Sequence, residues 1–192
     1  MKQLLAILFT SFLAVAVHAE ENQAFTTNSL PIPDHGTLKI KAPKGWDFVR
    51  KGAINPTGPR TAELTSASGD ISVQLTMFWD GFNPSKPRLT DEELTDIVKI
   101  AAEKQYVPSS VEKKTTIEKL SGGKVSGSFA RFTDAEWVGK KIPPGEFSNV
   151  ASGAVRCGDL WGVFTILTNE KDGPKFKQGL AVIESLEKAA QP

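Results

Sequence analysis

The chain has 192 residues, with 23 Lys and Arg against 22 Asp and Glu, two His and one Cys. A net charge of +1 supplies no overall field to steer it onto nucleic acid, and a lone Cys excludes an internal disulfide. The length suits one domain with a core large enough to fold without metal or cross-link.

Met1-Lys2-Gln3 is a short basic start. An apolar run extends from Leu4 to Val17, broken only by Thr10 and Ser11, and Val17-His18-Ala19 puts small residues where a signal peptidase reads. This is the pattern of a secretory signal peptide cleaved near Ala19. The run falls short of the about 20 residues that span a bilayer. No Cys follows it to carry a lipid anchor. The expected product is periplasmic or secreted, with no membrane span in the mature chain. Loss of Lys2 leaves 22 basic against 22 acidic residues. The expected organisation is a signal peptide over 1–19, a flexible leader over 20–36 and one α+β domain over 37–190.

The leader reading follows from polar, aperiodic residues and from Pro31-Ile32-Pro33. Leu38 and Ile40 alternate with Lys39 and Lys41, a half-buried strand. Ala42-Pro43-Lys44-Gly45 turns, and extended chain resumes at Trp46. A loop over 50–60 precedes a short strand from Thr61 to Thr65. The clearest strand runs from Ile71 to Trp79: Ile71, Val73, Leu75, Met77 and Trp79 share one face, and Ser72, Gln74, Thr76 and Phe78 share the other.

Thr90 caps a helix, with Glu93 placed to reach back and Asp91 and Glu92 in the first turn. Leu94, Ile97, Val98, Ala101, Ala102 and Tyr106 follow at helical spacing, and Pro108 ends the run. Strands are expected over Thr115–Leu120 and Lys124–Phe132, with a further stretch to Trp137. Phe147–Arg156 and Leu160–Thr168 flank a Gly158-Asp159 hairpin. The second arm is apolar on both faces, as a covered central strand would be. Pro174 opens a last helix with Phe176, Leu180, Ile183 and Leu186 as its stripe. Short connections imply a largely antiparallel sheet flanked by helices.

The strand Leu38–Ala42 ending in Pro43-Lys44-Gly45-Trp46, the strand Ile71–Trp79, the helix entered at Leu89-Thr90-Asp91-Glu92-Glu93 and the closing Ile183-Glu184-Ser185-Leu186 together resemble the PsbP-like sandwich family. That family includes PsbP and exported bacterial proteins of the DcrB type. The resemblance covers most of residues 37–188. It implies a fold and a habit of acting as an accessory or binding protein. No functional motif of the family falls on any position of this sequence.

The residues supply no catalytic set and no cofactor motif. His35 stands alone in the mature chain, so neither a zinc ligand set nor a Ser-His or Cys-His pair can be assembled. Asp91-Glu92-Glu93 reads as a helix start, and Cys157 as a packed structural thiol. Ser121-Gly122-Gly123-Lys124 joins two strands, unlike a phosphate loop, which opens a helix. Asp134 and Glu136 fall on one face if extended. Aromatic and basic residues in loops are the remaining candidates for binding: Trp79 and Phe82 beyond one strand, and Trp137, Lys140 and Lys141 beyond another. Three readings follow. The first is a non-enzymatic binding or accessory protein of the cell envelope, meeting a protein partner. The second is a carrier of a small apolar molecule. The third, least supported, is a carboxylate-dependent hydrolase.

Overall fold

The computed structural model describes residues 24–52 and 55–189. The signal segment and its cleavage position lie outside the described residues.

The stretch expected as a flexible leader contains a strand. β1 (Phe25–Ile32) pairs antiparallel with β2 (Gly36–Pro43) along its whole length, through a turn with Asp34 at φ 60° and Gly36 at φ 83°. Leu30 and Ile32 alternate into the core and are buried. Pro31 does not break the strand because β1 is the edge of its sheet, where a missing N–H costs no ladder bond. The fold therefore starts before the expected boundary at 37.

β3 (Asp47–Lys51), β4 (Arg60–Thr65) and β5 (Ile71–Trp79) form a meander. α1 (Asp91–Gln105) begins with the expected capping box: Thr90 Oγ1 accepts from the Glu93 N–H at 3.2 Å, and Glu93 accepts from the Thr90 N–H at 2.9 Å. The expected strand Thr115–Leu120 contracts to β6 (Glu118–Lys119). Farther along β7 (Ser126–Thr133), the edge is taken differently. The Glu112 carboxylate accepts from the Thr133 N–H at 2.8 Å, so a side chain replaces the ladder bond a longer β6 would make.

The stretch to Trp137 is a single 3-10 turn, Ala135–Trp137. Asp134 Oδ1 caps it by accepting from the Glu136 N–H at 2.9 Å. Asp134 and Glu136 are thus not a strand-face carboxylate pair. β8 (Asn149–Cys157) and β9 (Leu160–Thr168) form the expected hairpin over Gly158, at φ 67°. α2 (Pro174–Glu184) follows, and β10 (Glu187–Ala189) returns to pair with β2.

The architecture is an α+β sandwich. A large antiparallel sheet has the order β3-β4-β5-β9-β8-β7-β6, and a small one has the order β1-β2-β10. α1 packs on β7 and β8 across one face of the large sheet. α2 and the small sheet cover the other face. The larger core cluster lies on that second side and includes Ile71, Val73, Leu75, Phe164, Ile166 and Ile183. A smaller cluster, with Leu94, Val98, Ala102, Phe132 and Ala154, lies beneath α1. Burial of each Val, Leu, Ile or Phe side chain among these contributes about 1.5–3 kcal/mol before chain entropy is counted. Among the described residues no helix is long and apolar enough to cross a membrane.

Candidate functional site

Antiparallel register sets Phe78 opposite Trp161 and Trp161 opposite Arg156, in one row across β5, β9 and β8. All three project to the α1 side, the face that carries polar residues through most of β5. Phe78 and Trp161 stack at 4.4 Å between ring centroids, with 13° between their planes. Trp79 points to the opposite face and stacks on His35 at 5.1 Å. Phe82, in the loop after β5, meets both Phe78 (5.3 Å) and Trp79 (5.1 Å) edge-on. One continuous array of rings thus wraps the end of β5. Such offset and edge-on contacts contribute about 0.5–1.5 kcal/mol each beyond buried area.

The loop from Asp80 to Leu89 is held in place at both ends. The Asp80 N–H donates to the Asp159 carbonyl at 2.8 Å, and Gly81, at φ 85°, makes the turn that brings Phe82 back over the rings. Arg156, only 8% exposed, donates to Asp80 Oδ1 at 3.2 Å and to the Leu89 carbonyl. Its Nε lies 3.8 Å from Asp91, at the start of α1. One buried guanidinium therefore ties both ends of the loop to the helix terminus.

Between this loop, α1 and the Phe78–Trp161 pair lies an open groove of about 450 Å³, walled also by Leu89, Ile97 and Ile100. Its rim carries Asn83, Lys86, Glu93 and Asp96. Lys86 donates to Glu93 at 2.7 Å, and Lys99 to Asp96 at 3.1 Å. The Lys86 bond, with the Thr90 N–H, holds the Glu93 carboxyl below its usual range. The charged groups are engaged with one another, and the floor is aromatic. This arrangement can hold an apolar molecule and does not present a nucleophile beside a base.

Of the residues expected to bind, Trp79 and Phe82 line the groove. Trp79 also packs against the main core, while Phe82 stays 39% exposed. Trp137, Lys140 and Lys141 do not join them. They follow Thr133, whose row across the sheet runs through Asn149 and Thr168 to Ile71, at the far end of the strands from Trp79. Strands of this length put the two ends about 25 Å apart. The expected five-residue site is therefore split by the sheet.

Sequence reasoning missed Phe78, Trp161, Arg156 and His35 as parts of one place. The available signal was an aromatic at the end of an otherwise polar strand face, matched across a hairpin by a second. His35 is not an isolated leader residue. Its Nδ1 lies 3.2 Å from Asp159 Oδ2, and Lys188 donates to the other oxygen. Burial pushes the Asp159 carboxyl up, but the bonds from Lys188 and His35 outweigh it and hold the group below its usual range. Cys157 is buried beside these groups, with Sγ 3.7 Å from the Leu186 carbonyl.

No protein-family model matches the chain, and no curated protein does. The chain is similar in fold to cyanobacterial PsbP. One match is the solution structure of PsbP (CyanoP) from Synechocystis sp. PCC 6803, with TM-score 0.47 and 9% identity over 85% of this chain and 93% of that one. The likeness is one of fold and carries nothing about activity. The sandwich assignment stands on the strand order and layers described above.

Proposed function

We propose that this chain is an exported, non-catalytic binding protein whose ligand-contacting surface is the aromatic groove at the Trp79 end of the large sheet. The observation that carries the reading is the stacked Phe78–Trp161 pair, flooring an open groove of about 450 Å³. That size lies within the range of small-molecule sites, and an apolar lining with few polar groups is their usual composition. The loop that closes the groove is fixed by Arg156, so the site is built before any ligand arrives and ordering it on binding costs little.

The test is titration with the apolar fluorophore N-phenyl-naphthylamine. Wild type should enhance its emission saturably. Phe82→Ala and Trp161→Ala should each weaken binding roughly three- to tenfold, the loss expected for an aromatic contact. Saturable binding that both variants leave unchanged sinks the reading. Export is tested separately, by N-terminal sequencing of protein from fractionated cells. The product should begin near Glu20 outside the cytoplasm; a cytoplasmic product retaining residues 1–19 would overturn that part.

A further inference from the structure

The aromatic groove does not end at Ile97. A smaller depression of about 160 Å³ shares Ile97 with it. That depression in turn shares Tyr106 and Thr165 with a third, of about 370 Å³. The three follow one another along β9, from Trp161 through Val163 and Thr165 to Leu167, and in the same direction along α1, from Glu93 to Tyr106. Trp161–Leu167 as strand and Glu93–Tyr106 as helix each span about 20 Å. The agreement sets the three depressions end to end, as a trough alongside α1. It exists because α1 seats on β7 and β8, where Ser128, Ala130 and Ala154 are small, and leaves the adjoining faces of β9 and β5 open.

The two ends differ in chemistry. The Phe78–Trp161 end is aromatic and aliphatic. The far end presents Tyr106, Ser109, Ser148, Asn149 and Gln74. Asp134 is the one charged residue in its lining, and no Lys or Arg lies there. β9, which runs under the whole trough, is an interior strand whose ladder is complete on both sides. An extended peptide laid in it would find no free backbone partner and would leave its own amides unpaired. An alkyl chain has no such need. A carboxylate or phosphate head would meet Asp134 with no Lys or Arg in the lining to pair with.

We propose that the trough binds a single-chain lipid with an uncharged, hydroxyl-bearing head, of the monoacylglycerol class. Its tail occupies the Phe78–Trp161 end and its head the Tyr106–Asn149 end. This rests on the binding reading above and adds the ligand class, its direction and the use of the whole trough.

The experiment uses the mature chain, with N-phenyl-naphthylamine as reporter and monocaprylin, monolaurin, monopalmitin and palmitate as competitors. Affinity should rise along the monoacylglycerol series by roughly fourfold per buried methylene until the trough is filled. Palmitate should compete at least tenfold more weakly than monopalmitin at neutral pH. Ala101→Phe, which fills the middle depression from the helix side, should leave reporter binding within twofold and weaken monopalmitin at least tenfold. Val163→Phe fills it from the sheet side and should do the same, so failure of one variant to fold leaves the other. If the reporter binds but monoacylglycerols do not displace it, the lipid proposal fails while the groove stands. Palmitate matching monopalmitin overturns the uncharged head. Variants that weaken both ligands alike overturn the extended trough. Absence of reporter binding fails the underlying reading instead.

Discussion

Arg156 and Asp80 form an ion pair, 3.2 Å from Nη1 to Oδ1, that joins the end of β8 to the start of the loop over the aromatic groove. The Arg156 side chain is 10% exposed and that of Asp80 20%, so solvent screens the pair only partly. The same guanidinium reaches the Leu89 carbonyl at the loop's other end. The shape of the groove therefore depends on a residue that does not line it.

Arg156→Gln should destabilise the fold by about 2–4 kcal/mol, because Asp80 and the Leu89 carbonyl lose a buried donor. Urea denaturation measures the loss. Under conditions where the variant remains folded, its affinity for N-phenyl-naphthylamine should also fall. Arg156→Lys should recover only part of both, since an ammonium cannot reproduce the planar fork. Unchanged probe affinity in folded Arg156→Gln would show that the loop holds its place without this anchor.

Glu112 provides a pH-dependent contribution at the other end of the sheet. Burial pushes its carboxyl up, but the Lys171 bond and the Thr133 N–H and hydroxyl outweigh this and bring it from 4.5 down to about 2. With the folded value depressed, the unfolded chain binds the extra proton between these values, and stability rises with pH across that window. The contribution is complete above about pH 4.5 and is lost as pH falls through about 2. Allowing for solvent around Lys171, Glu112→Gln should cost about 1–2 kcal/mol at neutral pH. The gap to wild type should close on acidification toward pH 2. Denaturation curves at several pH values measure it; a gap constant with pH would rule out the charge as its source.

Gly153 lies where β8 crosses beneath Phe164. A Cβ there would meet the Phe164 ring and lie 2.7 Å from the Ser128 carbonyl. Gly153→Ala should destabilise by about 1–3 kcal/mol through overpacking. The companion Phe164→Leu should relieve part of that loss in the double variant. Thermal melts of the four proteins provide the cycle, and purely additive losses would exclude the ring as the obstacle.

Cys157 is 3% exposed, and burial pushes its thiol above the usual range. A buried, protonated thiol reacts slowly. Native protein should resist Ellman's reagent for hours and react fully once unfolded in guanidinium. It should also run as a monomer on non-reducing gels after air oxidation. Rapid native labelling would indicate that the β8–β9 turn opens.

Much of this fold can be read locally. The strand Ile71–Trp79 follows from its alternation, α1 from Thr90 and Glu93, and the β8–β9 hairpin from Gly158-Asp159. Each signal lies within a few residues of the structure it specifies, because capping, turning and alternation are short-range effects. β1 was not legible in that way. Pro31 reads as a breaker until its position on a sheet edge is known. Trp79 and Phe82 were legible as binding candidates, being aromatic in or beside a loop. Their grouping with Trp137, Lys140 and Lys141 was not a property the sequence could test.

Local signals along the chain thus suffice for antiparallel strands with two helices, an α+β chain. It takes the assembled sheet to put Phe78, Trp161 and Arg156 in one row, His35 on Trp79, and Trp137 at the opposite end. The physical reason is register. Strands far apart in the chain meet side by side, and the pairing of one row determines which end of the sheet every other residue occupies.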